Sequence, residues 1–249
     1  MRLSSIEKSL QIIEVLSKNP RGLSLHELSG QLSLPKSTIH HILSTLRSHD
    51  YIAQDQPTKK YLLGFKFLSV GNAILENIDV RRIARNYLNE LHRKCNETIH
   101  LAILRDGKVV YIDKVGQPSG LQLATYVGFS TDPHAAAGGK VLLSELSRVE
   151  IDDIYKGRPL KRYGKNTITN MTHLFEELEN IKKMGYAVDN EEYYEGVRCV
   201  AAPIRAGGKI VAALSVTGSI FTMAMERINR ELIDLVTSTA EAISSEMKW

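Results

Sequence analysis

The chain has 249 residues, 43% apolar and 24% charged, which describes a soluble globular protein with a proper core and room for one small and one ordinary domain. Its net charge is +4, and residues 1–75 hold all of that excess: 9 Lys/Arg against 5 Asp/Glu, with 23 of each in the remainder. Two cysteines, Cys95 and Cys199, match no metal, redox or disulfide-scaffold spacing, and no run approaches the ~20 apolar residues of a membrane span. The first twenty residues lack a signal-peptide core. These absences lead to the expectation of a cytoplasmic protein with no membrane partner, no metal and no cofactor.

Ser4 and Glu7 form a possible capping box, opening a helix to about Lys18 with Ile6, Leu10 and Ile13 turned inward. A second box, Ser24 and Glu27, starts a short helix with Leu25, Leu28 and Leu32 as its buried stripe. After a tight turn comes a third helix, with Pro35 in its first turn and Ser33 as a candidate cap. Ile39, Ile42, Leu43 and Leu46 recur at i, i+3, i+4 and i+7 there, making one apolar face. The opposite face carries Ser37, His41, Ser44 and Ser48, with His40 beside them and Lys36 and Arg47 on the flanks. It presents donors and acceptors without a carboxylate. Phosphates line a DNA groove and repel acids, so such a face suits a major-groove reader; the plainer alternative is a helical hairpin with a solvated face.

YIAQDQPTKKYLLG reads as a β-hairpin whose Lys59 and Lys60 stand at the return, placed as a wing to reach phosphate. From Gly64 to about Asp79 the pattern is helical, with Phe67, Val70, Gly71 and Ile74 on one side. That stripe needs a partner, either the same helix of a second chain or the following domain. From Val80 onward a helix, the hairpin HLAILRDGKVVYIDKV, a strand near Leu121–Val127, helices over about Ala136–Leu146, Ser147–Tyr155 and Thr172–Met184, and a buried hairpin GVRCVAAPIR/KIVAALSVTG precede a last helix. Hairpins flanked by helices point to an α+β domain with an antiparallel sheet.

Three features of this second part could carry chemistry. DPHAAAGGKVLL leaves backbone N–H groups at a helix start open to an anion, although it lacks the Walker spacing. Strand alternation puts Cys199, Ala201 and Pro203 on one face, and Val211, Ala213, Ser215 and Thr217 on one face of the partner strand. If the faces coincide, they form a small-residue wall with a thiol and two hydroxyls. An acidic loop, Asp189–Glu192, could accept hydrogen bonds from a ligand hydroxyl. An enzyme would need Cys199 as nucleophile with His134 as base, and no hydrolase or zinc-protease motif accompanies them.

The LPKSTIHHILSTL, YLLGFKFLSVG, HAAAGGKVLL, GYAVDNEE and GVRCVAAPIR…AALSVTG segments together resemble the IclR-type transcriptional regulators, in the family's order and over essentially the whole chain. The resemblance implies a winged helix-turn-helix at 1–63, a linker helix used in dimerisation at 64–79, and a GAF-like effector-binding domain at 80–249. It implies a dimer or dimer of dimers on a palindromic operator. Its effector pocket maps to Leu123, Ala137, Gly138, Asp189, Cys199, Ser215 and Thr217. The reading helix departs from the family at His41, where Arg is common. The expectation is a regulator, a repressor of a catabolic operon, that senses a small organic acid. Ser37, His40, His41 and Ser44 would face bases, with Thr38 also in the DNA-binding set. Lys36, Arg47, Lys59 and Lys60 would meet phosphate.

Overall fold

The computed structural model describes residues 4–116 and 125–247. The chain divides into two units, Met1–Asn77 and Ile78–Trp249. The first holds α1 (Ser5–Ser17), α2 (Leu25–Leu32), α3 (Lys36–Ser48), a hairpin of β1 (Ile52–Gln54) and β2 (Tyr61–Leu63), and α4 (Lys66–Glu76). Both capping boxes form: the Ser4 and Ser24 hydroxyls accept from the Glu7 and Glu27 amides, and the glutamates reach back. Ser33 does not cap α3. It closes α2 in the left-handed conformation, and Pro35 takes the N-cap position with no side-chain bond.

The small core is Ile12, Leu16, Leu28, Ile39, Leu43 and Ile52, with Leu23 and Tyr61 buried at its edge. Each such side chain contributes about 1.5–3 kcal/mol on burial. The inward face of α1 differs from expectation, because Ile12 and Leu16 are buried while Ile6 and Leu10 stand exposed. Two overlapping apolar stripes run along this helix, and only one meets α2 and β2. Leu23 pairs with Tyr61 through two backbone hydrogen bonds of 3.0 and 2.7 Å, giving the hairpin a short third edge. Along α4 no residue is buried; Phe65, Leu68, Val70 and Ile74 are exposed, and Phe67 packs edge-on to Tyr51.

The second unit begins with α5 (Asp79–Cys95), followed by β3 (Thr98–Arg105), β4 (Lys108–Val115) and β5 (Ser130–Thr131). A 3-10 turn at Pro133–Ala135 leads into α6 (Ala137–Leu143), α7 (Arg148–Tyr155) and α8 (Met171–Met184). Then come β6 (Ala187–Asn190), β7 (Val197–Ala206), β8 (Lys209–Ser219), α9 (Met225–Arg227), a π turn at Ile228–Leu232 and α10 (Ile233–Glu246). The strands form one antiparallel sheet in the order β5-β4-β3-β8-β7-β6. Gly207 and Gly208, both at positive φ, make the two-residue β7–β8 turn, a conformation that glycine adopts without a Cβ clash.

Alternation separates the two faces of the sheet. Ile99, Leu101, Val200, Ala202, Leu214 and Val216 pack against α5, the π turn and α10, where Leu88, Leu91, Leu232, Val236 and Ile243 are buried. Ala102, Ala201 and Ala213 lie under α6 and α8, with Val141, Leu143, Leu174 and Leu178 buried over them. Small residues on this second face let α6 sit close. A Cβ on Gly139 would overlap the Pro133 carbonyl oxygen, which fixes the approach to glycine. The strand expected near Leu121–Val127 falls mostly outside the described residues; its described end, Thr125–Val127, is not in a strand, and the edge strand lies at Ser130–Thr131. Among the described residues no helix is long and apolar enough to cross a membrane.

Candidate functional site

The first unit offers an exposed polar face on α3. Lys36, Ser37, His40, His41, Ser44, Arg47 and Ser48 are exposed, while Ile39, Ile42 and Leu43 on the other side are buried; Thr38 is half-buried. No carboxylate occurs in α3. Arg47 Nη1 donates to Gln54 Oε1 on β1 at 2.9 Å, so the last turn of α3 is tied to the hairpin. Lys59 adopts a left-handed φ of 56° at the hairpin tip, and its Nζ donates to Gln56 Oε1 at 3.2 Å. None of Lys36, Arg47, Lys59 or Lys60 forms an ion pair among the described residues, so four cations remain available to an anionic partner.

In the second unit a small pocket opens over β3, β8, β7 and β6, where α6 begins. The strand register assembles its floor. Cys199 lies opposite Thr217 and Ala201 opposite Ser215, so the two faces read from the sequence do coincide. Across β8, Thr217 meets Thr98 and Ser215 meets His100; across β7, Cys199 meets Asp189. Ala137, Gly138, Asp189, Cys199, Ser215 and Thr217 thus line one cavity, joined by His100, Tyr111, Thr125, Phe129, Tyr193 and Tyr194. Leu123 lies outside the described residues. The lining contains no Lys or Arg among the described residues, so hydroxyls, the Asp189 carboxyl and the His100 imidazole supply its polar side-chain groups.

Asp189 departs from expectation. It sits on strand β6, 3% exposed, rather than on a loop. Its Oδ1 accepts from the Glu192 N–H at 2.7 Å. Burial, reinforced by the nearby Glu192 carboxylate, raises its pKa to about 7. Behind it lies Lys140, 1% exposed, whose Nζ donates to Glu192 Oε1 at 2.7 Å, Glu177 Oε1 at 3.0 Å and the Val188 carbonyl at 2.8 Å. Burial opposes this ammonium, but the two carboxylates hold its pKa above the ordinary value, so it stays charged. Glu192 Oε2 has no hydrogen-bond partner. Three acids therefore share one cation beneath the pocket, and Asp189 is the one left without a countercharge in contact.

His100 accounts for much of the opposite wall. Its ring nitrogens meet Thr125 Oγ1 at 2.9 Å and Thr217 Oγ1 at 3.3 Å, and its ring lies 4.7 Å from Tyr111. Burial, with Lys114 nearby, lowers its pKa to about 3, so the imidazole is neutral. Neither His100 nor Lys140 stood out in the sequence. A lone charge inside the apolar run GGKVLL was the available signal for Lys140. His100 had none, because it depends on β3 pairing with the distant β8.

The Cys199–His134 pairing receives no support from this geometry. Burial, then Asp189, pushes the Cys199 thiol well above its usual range, which suppresses the thiolate. His134 is not part of the pocket lining; its nitrogens face the Lys161 carbonyl at 2.9 Å and the Tyr155 hydroxyl at 3.3 Å. Among the described residues no group of three or more His, Cys, Asp or Glu is placed to hold a metal.

Comparison with known proteins matches residues 5–56 to the IclR helix-turn-helix domain and residues 72–245 to the bacterial transcriptional regulator IclR C-terminal family. The HTH-type transcriptional regulator KdgR of Escherichia coli (strain K12) is 33% identical over 248 residues, covering 99% of this chain and 94% of KdgR. The IclR crystal structure from Thermotoga maritima superposes with a TM-score of 0.85 at 31% identity, over 98% of each chain. An IclR homolog from Microbacterium hydrocarbonoxydans, complexed with 4-hydroxybenzoate, shares the fold with a TM-score of 0.83 at 18% identity, over 98% of this chain and 99% of that one. An exposed carboxylate-free reading helix, an antiparallel sheet with a polar pocket, and matches spanning nearly the whole sequence agree: the chain belongs to the IclR family of bacterial transcriptional regulators.

Proposed function

We propose that this regulator represses a catabolic operon and is controlled by a small organic acid bound in the second unit. The observation that carries the effector half is the pocket itself: a buried carboxyl, two strand hydroxyls and the first residues of α6 line one cavity. The ligand carboxylate rests on the Ala137 and Gly138 N–H groups and on Ser215 or Thr217, and a ligand hydroxyl meets Asp189. Leu123 is assigned to the same site. The 4-hydroxybenzoate held by the Microbacterium homolog is an acid with a hydroxyl, which fits this division of labour.

On DNA, Ser37, Thr38, His40, His41 and Ser44 face bases, and Lys36, Arg47, Lys59 and Lys60 meet phosphate. The exposed apolar side of α4 supports a dimer in which the same helix of a second copy covers Val70 and Ile74, so that two heads address a palindromic operator; a dimer of dimers extends the same arrangement. The protein acts in the cytoplasm and has no catalytic role.

A thermal-shift screen of hydroxy, keto and aromatic acids tests the effector. A ligand at about 100 times its dissociation constant stabilises the native state by about 2.7 kcal/mol. A hit should also change affinity for promoter DNA upstream of the regulated genes. A hit that shifts the melt in Thr217→Val as strongly as in the wild type would place the ligand elsewhere.

A further inference from the structure

Gln54 lies between the two parts of the head that carry the cations. Its Oε1 accepts from Arg47 Nη1 of α3 at 2.9 Å, and its Nε2 donates to the Lys59 carbonyl at the hairpin tip at 3.0 Å. One neutral amide therefore bridges the last turn of the reading helix and the turn that presents Lys59. The tip is shaped for that contact. Asp55 Oδ2 accepts from the Thr58 N–H and hydroxyl, the Lys59 N–H donates to the Asp55 carbonyl at 2.8 Å, and Lys59 takes a positive φ of 56°. In that conformation its carbonyl faces back toward Gln54.

We propose that Gln54 is a positioning residue for DNA contact, holding Arg47 and Lys59 as one cationic unit against the phosphate backbone. It rests on the first unit being the surface that binds DNA. The residue type matters. A guanidinium has five N–H donors, and Gln54 occupies one, leaving the others for phosphate. An acid at this position would hold Arg47 more firmly but cancel its charge, and it could not donate to the Lys59 carbonyl. An alanine would hold neither group. Only an uncharged side chain with both an acceptor and a donor fixes the geometry while leaving the positive charge intact.

The consequence appears in affinity for any duplex, because phosphate contacts do not depend on sequence. The full-length chain would be titrated into a mixed-sequence duplex of about 30 base pairs by fluorescence anisotropy, between about 50 and 250 mM salt. Gln54→Ala and Gln54→Met, the second keeping the length of the side chain, should each weaken binding by about threefold to tenfold. Each should flatten the salt slope by about half to one unit, with unchanged thermal melts. In an Arg47→Ala/Lys59→Ala background, Gln54→Ala should cost nothing further. The inference is overturned if Gln54→Ala leaves affinity and slope as in the wild type while Arg47→Ala and Lys59→Ala flatten the slope. It is also overturned if the full cost of Gln54→Ala persists in the doubly substituted background. Failure of the wild-type chain to bind the duplex would remove the DNA-binding surface itself, and this inference with it.

Discussion

Replacing Asp189 by Asn should make the second unit more stable, and increasingly so as the pH rises. The folded-state pKa of Asp189 is raised from 3.8 to about 7 by burial and Glu192. For an acid whose pKa is raised on folding, the native state binds the proton more tightly, so stability falls as pH climbs from about 4 to about 7 and is level above that. At 1.36 kcal/mol per unit, a shift of roughly three units places the cost of the ionised carboxyl on the order of 4 kcal/mol at pH 8. Lys140 and Glu192 share that energy, so a gain of about 2–4 kcal/mol is expected for the variant at pH 8 and little at pH 4. Urea denaturation across this pH range, with hydrogen exchange of β7 and β8 amides identifying the transition, gives the difference between variant and wild type. A difference that stays constant from pH 5 to pH 8 would refute the view that Asp189 lacks a compensating charge.

Three other perturbations separate the parts of the molecule. Lys140→Met leaves the Glu192 and Glu177 carboxylates without their shared cation and should cost about 3–5 kcal/mol in urea denaturation; adding Glu192→Gln should recover part of it. Thr217→Val removes a pocket hydroxyl and should abolish the response to the effector in a DNA-binding titration while leaving basal DNA affinity unchanged. Leu28→Ala opens a cavity in the small core and should cost about 2–5 kcal/mol, lowering DNA binding with no change in the melt of residues 78–249.

Local signals in the sequence carried much of the fold. Ser4/Glu7 and Ser24/Glu27 marked helix starts because a capping box is satisfied within four residues. The Gly207–Gly208 hairpin was legible for the same reason, but that turn alone would set Cys199 opposite Val216; a register shift at Ile204/Arg205 brings it opposite Thr217, which no residue in the sequence announced. What failed depended on contacts distant in sequence. Asp189 was read as part of an acidic loop because nothing in DNEE reveals that β6 will add to the edge of β7. His100 enters the pocket only through pairing of β3 with β8, more than a hundred residues apart. On α1 two apolar stripes competed, and the choice of Ile12 and Leu16 over Ile6 and Leu10 was made by α2 and β2.

The π turn at Ile228–Leu232 has a consequence for how the last helix tolerates changes of length. Ile228, Leu232, Val236 and Ala240 recur every four residues, and on a 3.6-residue helix a spacing of four drifts about 40° at each step. The wider turn advances less per residue, so it takes back part of that drift and keeps the row aimed at β7 and β8. Removing one residue from it would tidy the backbone hydrogen bonds yet rotate one end of the row off the sheet. Natural insertions and deletions should therefore avoid this segment even though three of the eight residues from Ala224 to Glu231 are exposed charges.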